Sequence, residues 1–178
     1  IMKPSAGEVF VNGLDLNNNA EDVRSQIGIV SHQTFLYSNL TAYENLLFYS
    51  RMYDVADFKQ RIYQVVSMVG MQSRLHDRIG TLSHGMQQRL SIARCLLHKP
   101  PIILLDEPET GLDQQAISML WGALKEDDNK KRTIIFTSHS LERGLNACDT
   151  LIILNKGKIT HQQPSEDLDL AGLKKAYQ

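Results

Sequence analysis

The sequence predicts an α/β fold, a mostly parallel sheet core with an inserted α-helical subdomain, on three observations. Ile102-Ile103-Leu104-Leu105 and Thr133-Ile134-Ile135-Phe136-Thr137 are short apolar runs without polar alternation, the pattern of strands buried on both faces of a parallel sheet. Each run ends in groups that carry chemistry, Asp106 and Glu107 after the first and Ser138-His139-Ser140 after the second, and the C-terminal edge of such a sheet is where ligands bind. Ahead of both, residues 38–97 repeat apolar side chains at spacings of three and four, which is the helical period.

A chain of 178 residues is long enough for one domain, or for one core with a small inserted subdomain. Lys and Arg total 19 against 20 Asp and Glu, so the bulk charge points neither to nucleic acid nor to an anionic membrane surface. Cys95 and Cys148 belong to no CxxC spacing, which fits buried thiols in a reduced, cytosolic protein better than a disulfide scaffold. No apolar run approaches the length of a bilayer span and no signal peptide precedes the first strand, so a membrane connection has to run through a partner.

Taken in order, Glu8 to Gly13 alternates as a strand and stops at the Asn12-Gly13 turn signal. After the polar Asn17-Asn18-Asn19, the strand Gln26 to Val30 leads into Ser31-His32-Gln33. Thr41, with Glu44 three residues on, reads as a capping box that opens the helical segment. Within that segment Leu46, Tyr49, Tyr53, Phe58, Ile62, Val65, Val66 and Val69 are read as packing, not as a cofactor box. Ser83 is an N-cap for a helix whose Met86, Leu90, Ala93 and Leu97 share a face, and the unpaired amides at its head, beside Gly85, suit an anion. Asp113 is placed to cap a helix over Gln114 to Lys125, with Ile117, Leu120, Trp121 and Leu124 apolar, and the charged run to Arg132 reads as a solvated loop. Leu151 to Leu154 and Lys158 to Thr160 form a hairpin around Lys156-Gly157, and the tail from Ser165 is a short amphipathic helix.

Two adjacent acids at the mouth of a buried strand suit a site that holds a hard cation and positions a water. Asp106 would take magnesium and Glu107 would orient or deprotonate the water. Taken alone the run has a plainer explanation, since strands end in acids wherever the chain turns at the surface. The neighbouring segments carry more. Thr81-Leu82-Ser83-His84-Gly85-Met86-Gln87-Gln88-Arg89-Leu90-Ser91-Ile92-Ala93-Arg94 upstream and Glu109-Thr110-Gly111-Leu112-Asp113 downstream, in this order around the acids, resemble the nucleotide-binding domain of ATP-binding cassette (ABC) proteins. Ser83 to Gln87 matches the signature motif, Ile102 to Glu107 the Walker B strand with its catalytic glutamate, Glu109 to Asp113 the D-loop, Gln33 the Q-loop glutamine and His139 the switch histidine. His84 and Met86 depart from the usual LSGGQ, while Ser83 and Gly85 are retained.

The resemblance implies a P-loop NTPase-like core, truncated, in three parts: 1–37 with the first strands and the Q-loop, 38–97 as the helical signature subdomain, and 98–178 with Walker B, D-loop and switch histidine. It implies ATP and Mg2+ as cofactors, with Glu107, His139 and Gln33 catalytic, Ser83, Gly85 and Asp113 contacting nucleotide, and Asp106 and Gln33 holding the metal. His32, His76, His84, His98 and His161 are read as structural or exposed. The phosphate loop GxxxxGK[ST] is not found, because Gly157-Lys158 lacks both the leading glycine and the following hydroxyl, so the chain is expected to be a fragment that hydrolyses ATP negligibly by itself.

What the resemblance implies for function is an ATP-hydrolysing subunit that pairs with a second copy, or with a second nucleotide-binding subunit, and drives transmembrane permease subunits. It would contact no nucleic acid and lie in the cytoplasm against the inner face of the cell membrane through its permease. Gly85 to Arg94, Gly111 to Gln114 and Leu141 to Leu145 look most like the ATP-binding subunit of the haem exporter of cytochrome c maturation. Two alternatives stand beside this: a soluble ABC ATPase of DNA repair or translation, and an inactive fragment that only binds a partner.

Overall fold

The computed structural model describes residues 4–125 and 132–177, so most of the charged run read as a solvated loop, 126–131, lies outside the described residues. Two compact units divide the chain, residues 1–135 and 136–178.

The first unit opens with an antiparallel hairpin of β1 (Phe10–Val11) and β2 (Leu14–Asp15), in which Val11 faces Leu14. Asn12 and Gly13 make its turn at φ of 50° and 80°, a region that asparagine and glycine enter at low cost. Helix α1 (Ala20–Ser25) follows, and then β3 (Ile27–Val30) pairs in parallel with β4 (Ile102–Leu105), Ile27 opposite Ile102 and Val30 opposite Leu105. With β5 (Thr133–Phe136) they make a sheet of order β3-β4-β5. Leu16 and Val23 are buried together with Ile27 of β3, with Val11, Leu14, Ile29, Ile102 and Leu104 packed around them.

The expectation that β5 is a buried strand is not met. Its residues alternate between exposed and half-buried, and Ile135 keeps 58% of its surface in solvent. The physical reason is its place at the end of the β3-β4-β5 order, where no further described strand covers its outer edge.

Between β3 and β4 the chain forms α2 (Ala42–Met52), α3 (Phe58–Met68) and α4 (His84–Leu96), joined by 3-10 turns at Gln72–Arg74 and Ile79–Thr81. Thr41 and Glu44 form the expected capping box, and hydrogen bonds from Thr41 hold the Glu44 carboxyl below the usual carboxylate range. Helix α4 touches α2, α3, β3 and α5 (Gln114–Lys125), so it ties the helical segment to the sheet. The read packing positions Leu46, Ile62, Val65, Val66 and Val69 are all buried. Gly28 on β3 lets α4 approach: a Cβ there would lie 2.6 Å from Cys95 Sγ and 2.8 Å from Pro100 Cγ. Cys95 itself is fully enclosed, and burial pushes its thiol up to about 12, which leaves it unreactive.

His98, just beyond α4, stacks on Tyr53 with ring centroids 3.9 Å apart. Burial is the main reason its imidazole is lowered to about 4; the Ile27 backbone works against the shift, and the charges of Arg94, Arg61 and Arg132 reinforce it. With the folded value below the unfolded one, the unfolded chain takes up a proton that the folded chain refuses as pH falls from about 6.5 towards 4. The associated stability is therefore complete above that window and lost going down through it, on the order of 2 kcal/mol by pH 5. Urea unfolding at pH 7 and pH 5 should show this loss in the wild type and a smaller one in His98→Phe, which keeps the stack without the titration. Equal pH dependence in both would contradict it.

In the second unit, Ser140 caps α6 (Leu141–Ala147), accepting from the Arg143 amide. Strands β6 (Thr150–Asn155) and β7 (Lys158–Pro164) form the expected hairpin around Lys156-Gly157, both at positive φ. A 3-10 turn at Ser165–Asp167 leads to α7 (Leu170–Tyr177), which packs on α6.

Candidate active site

Because Val30 and Leu105 are register partners in a parallel pair, the two strands end at the same level. The Asp106 amide donates to the Val30 carbonyl at 2.8 Å, which carries the ladder one residue past the strands before the chains part. Asp106 and Glu107 thus emerge at the edge where the loop bearing Gln33 begins. Glu107 has φ of 48°, a left-handed conformation that a non-glycine residue adopts only under constraint and that clusters at functional sites. Its Oε2 accepts from the Thr110 hydroxyl at 3.3 Å and lies 3.8 Å from His32 Nε2.

The loop after β3 is held from behind. Arg94 donates to the Ile29 carbonyl at 2.7 Å, with its guanidinium 5.5 Å from the Phe35 ring centroid and 5.2 Å from that of Tyr49. The buried Asn45 accepts from the Tyr37 amide at 2.7 Å and donates to the Tyr37 and Thr41 carbonyls at 3.1 and 2.9 Å. The Tyr49 hydroxyl donates to the Phe35 carbonyl. Between these anchors Gln33 is exposed, its carbonyl accepting from the Ser31 hydroxyl at 3.1 Å. A fixed backbone thus presents an amide side chain to solvent.

A second cluster forms at the head of α4. Ser83 is its N-cap, accepting from the Met86 amide, and the Gln87 side chain donates to the Ile79 and Leu82 carbonyls at 3.1 and 3.0 Å, fixing the approach to the helix. Ser83, Gly85, Arg74, Arg89, Gly111 and Asp113 line a cleft of about 260 Å³. Gly111, at φ of 77°, lies under the His84 ring, where a Cβ would come within 3.1 Å of Cδ2. Asp113 caps α5 as expected, taking the Ala116 amide at 2.7 Å, and its carboxylate is 3.5 Å from the Arg89 guanidinium. Glu109 accepts from the Trp121 indole at 2.8 Å, which anchors the segment running from the strand edge to the cleft.

Gln33, Asp106 and Glu107 therefore share one edge, and Ser83, Gly85 and Asp113 share one cleft. His139 belongs to the second unit, exposed in the turn between β5 and α6, where the Ser138 hydroxyl accepts from the Ser140 amide at 3.1 Å. Two residues near these groups were given no role from the sequence. Arg89 could have been noticed as a cation two turns from Ser83. His32 could have been noticed as the immediate neighbour of Gln33.

The donor set fits magnesium. A carboxylate and an amide oxygen are hard ligands, and this ion takes one or two protein groups and completes its shell with water and phosphate. Among the described residues no group of three or more His, Cys, Asp or Glu could hold a metal by itself.

Comparison with known proteins agrees with the motifs. Residues 1–110 match the family described as ABC transporter. The chain is 34% identical over 171 residues to "ABC transporter ATP-binding protein NatA" of Bacillus subtilis, covering 94% of this chain and 70% of that protein. It is 33% identical over 169 residues to "Nod factor export ATP-binding protein I" of Rhizobium etli, covering 93% of this chain and 54% of the relative. Several curated relatives are thus matched over only about half of their length, as with the linearmycin resistance protein LnrL of Bacillus subtilis at 50%. A solved "ATP binding subunit of ABC transporter" superposes with a TM-score of 0.86 at 28% identity, covering 93% of this chain and 70% of that one. The dimeric ATP-binding cassette MJ0796, solved in a post-hydrolysis state with ADP and Pi, gives 0.80 at 26%, covering 92% and 75%.

Proposed function

The chain belongs to the ABC transporter family, and from that premise we propose that the protein is an ATP-hydrolysing subunit that pairs around ATP and drives transmembrane permease subunits. The observation that supports this most is the parallel register of β3 and β4, which brings the Gln33 loop and the Asp106-Glu107 pair to one sheet edge.

Phosphoryl transfer asks for positioning and charge neutralisation more than for covalent chemistry. Asp106 and Gln33 would hold Mg2+, which when bound neutralises charge on the phosphates. Glu107 orients the attacking water and accepts its proton. His139 donates a hydrogen bond to the γ-phosphate. Ser83, through its hydroxyl, and Gly85, through its amide, bind the γ-phosphate of the nucleotide held by the second copy, with Asp113 supporting that face. The phosphate loop that would cradle the β- and γ-phosphates is not among these 178 residues.

The division into 1–37, 38–97 and 98–178 is part of the same proposal, with α2 to α4 forming the middle part. No described helix is long and apolar enough to cross a membrane, and we place the protein at the inner face of the cell membrane through its permease. The exposed Phe35, Tyr37, Phe48 and Met52 near the Gln33 loop support a docking surface there. Haem as cargo rests on the sequence resemblance alone, while relatives are named for Nod factor export and linearmycin resistance.

Sedimentation of the full-length protein tests the pairing. Mg-ATP should convert a slowly hydrolysing variant to dimer, and removal of the metal should reverse it. A monomer under saturating Mg-ATP would count against the reading.

A further inference from the structure

We propose that His32 is a positioning residue for Glu107, tying the carboxylate that directs water to the loop that carries Gln33. The inference rests on the role given above to Glu107.

The geometry is set by the sheet. Val30 and Leu105 are register partners, and His32 and Glu107 each stand two residues beyond them, in the two loops that leave the same sheet edge. His32 Nε2 lies 3.8 Å from Glu107 Oε2, with 58% of the histidine side chain and 22% of the glutamate side chain in solvent. That is longer than a hydrogen bond, and a contact this exposed adds little to folding stability, so the role given to it is orientation and not strength. Glu107 stands on a left-handed backbone, and its Oε2 already accepts from Thr110 on its own segment. His32 approaches the same oxygen from the other strand's loop, which places the carboxylate between two supports on different segments.

A coupling follows from the order of the residues. His32 and Gln33 are consecutive, and their loop is anchored through Ile29, Phe35 and Tyr37. A movement of that loop which shifts the Gln33 amide also shifts the imidazole beside Glu107. Water direction and the amide's contribution at the metal side are then aligned by one loop. A loop displaced by a partner would misalign both at once.

His32→Ala and His32→Gln in the full-length protein test this, alone and in a Glu107→Gln background. His32→Ala should lower kcat roughly tenfold with KM for ATP unchanged, the order expected when a catalytic group is slightly misplaced, and His32→Gln, which keeps a polar side chain facing the carboxylate, should recover most of it. In the Glu107→Gln background His32→Ala should cause no further fall in the residual turnover. Without nucleotide, the His32 Nε2 resonance in a proton–nitrogen correlation spectrum should move on Glu107→Gln. Unchanged kcat in His32→Ala, an equal fall in both backgrounds, or an unmoved resonance would each overturn the role of His32. Full turnover in Glu107→Gln itself would remove the water-directing role of Glu107 and, with it, the ground for His32; that outcome is distinct from a dead Glu107→Gln enzyme beside an unaffected His32→Ala one.

Discussion

Glu107→Gln in the full-length protein should lower ATP turnover by roughly 10²-fold or more while leaving ATP binding intact. The substitution keeps the size of the side chain and an oxygen that can accept from Thr110, which bonds Oε2 at 3.3 Å in the wild type. What it removes is the capacity to take a proton from water. In the proposed reading binding depends on other groups, the phosphate contacts and Asp106 and Gln33 as ligands of the cation, none of which the change touches. Phosphate release and nucleotide affinity, measured on the same preparation, check the prediction. Parallel loss of both would mean that Glu107 holds the nucleotide and does not direct the water.

Arg61→Leu should cost about 3 kcal/mol of folding stability, with the effect read as a lowered urea midpoint. Helix α4 ends at Leu96, and the last carbonyls of a helix have no partners within it. Arg61, only 5% exposed, supplies them: Nε donates to the Leu97 carbonyl at 3.1 Å and Nη2 to that of Leu96 at 2.6 Å, while Nη1 reaches Gln64 Oε1 at 2.8 Å. A cation at a helix C-terminus also meets the negative end of the dipole. Leucine fills much of the space but strands the Leu97 carbonyl and leaves that of Leu96 with the Lys99 amide at 3.2 Å, both residues being almost fully buried. Arg61→Lys keeps the charge without the planar fork and should lie between the two. A midpoint for Arg61→Leu within error of wild type would show that the helix end finds water or another donor.

Both residues illustrate what can be read from a one-dimensional pattern. Thr41 with Glu44, Ser83 and Asp113 were legible because capping is local chemistry, decided within three or four residues. The acids after Leu105 and the glutamine after Val30 were legible because a buried strand must surface somewhere, and parallel strands surface together. Helix α1 was not: Asn19 makes no side-chain cap, and Val23 is its one buried residue, so its six residues carry neither a start signal nor a period. The apolar run of β5 reads as buried because it does not itself say how many neighbours its strand will have; its exposure follows only from the missing phosphate-loop strand that would lie beside it. Arg61 and His32 escaped for a common reason. Their partners lie 35 to 36 residues away for Arg61 and on a different strand's loop for His32, and only the fold brings them near.

The most direct measurement is a crystal structure of full-length Glu107→Gln with Mg-ATP. The expected result has the cation against Asp106 and Gln33, the γ-phosphate beside position 107, and Ser83 and Gly85 of a second copy closing over that phosphate. Nucleotide bound away from the ends of β3 and β4, or a cation with no ligand from Asp106 or Gln33, would contradict the assignment.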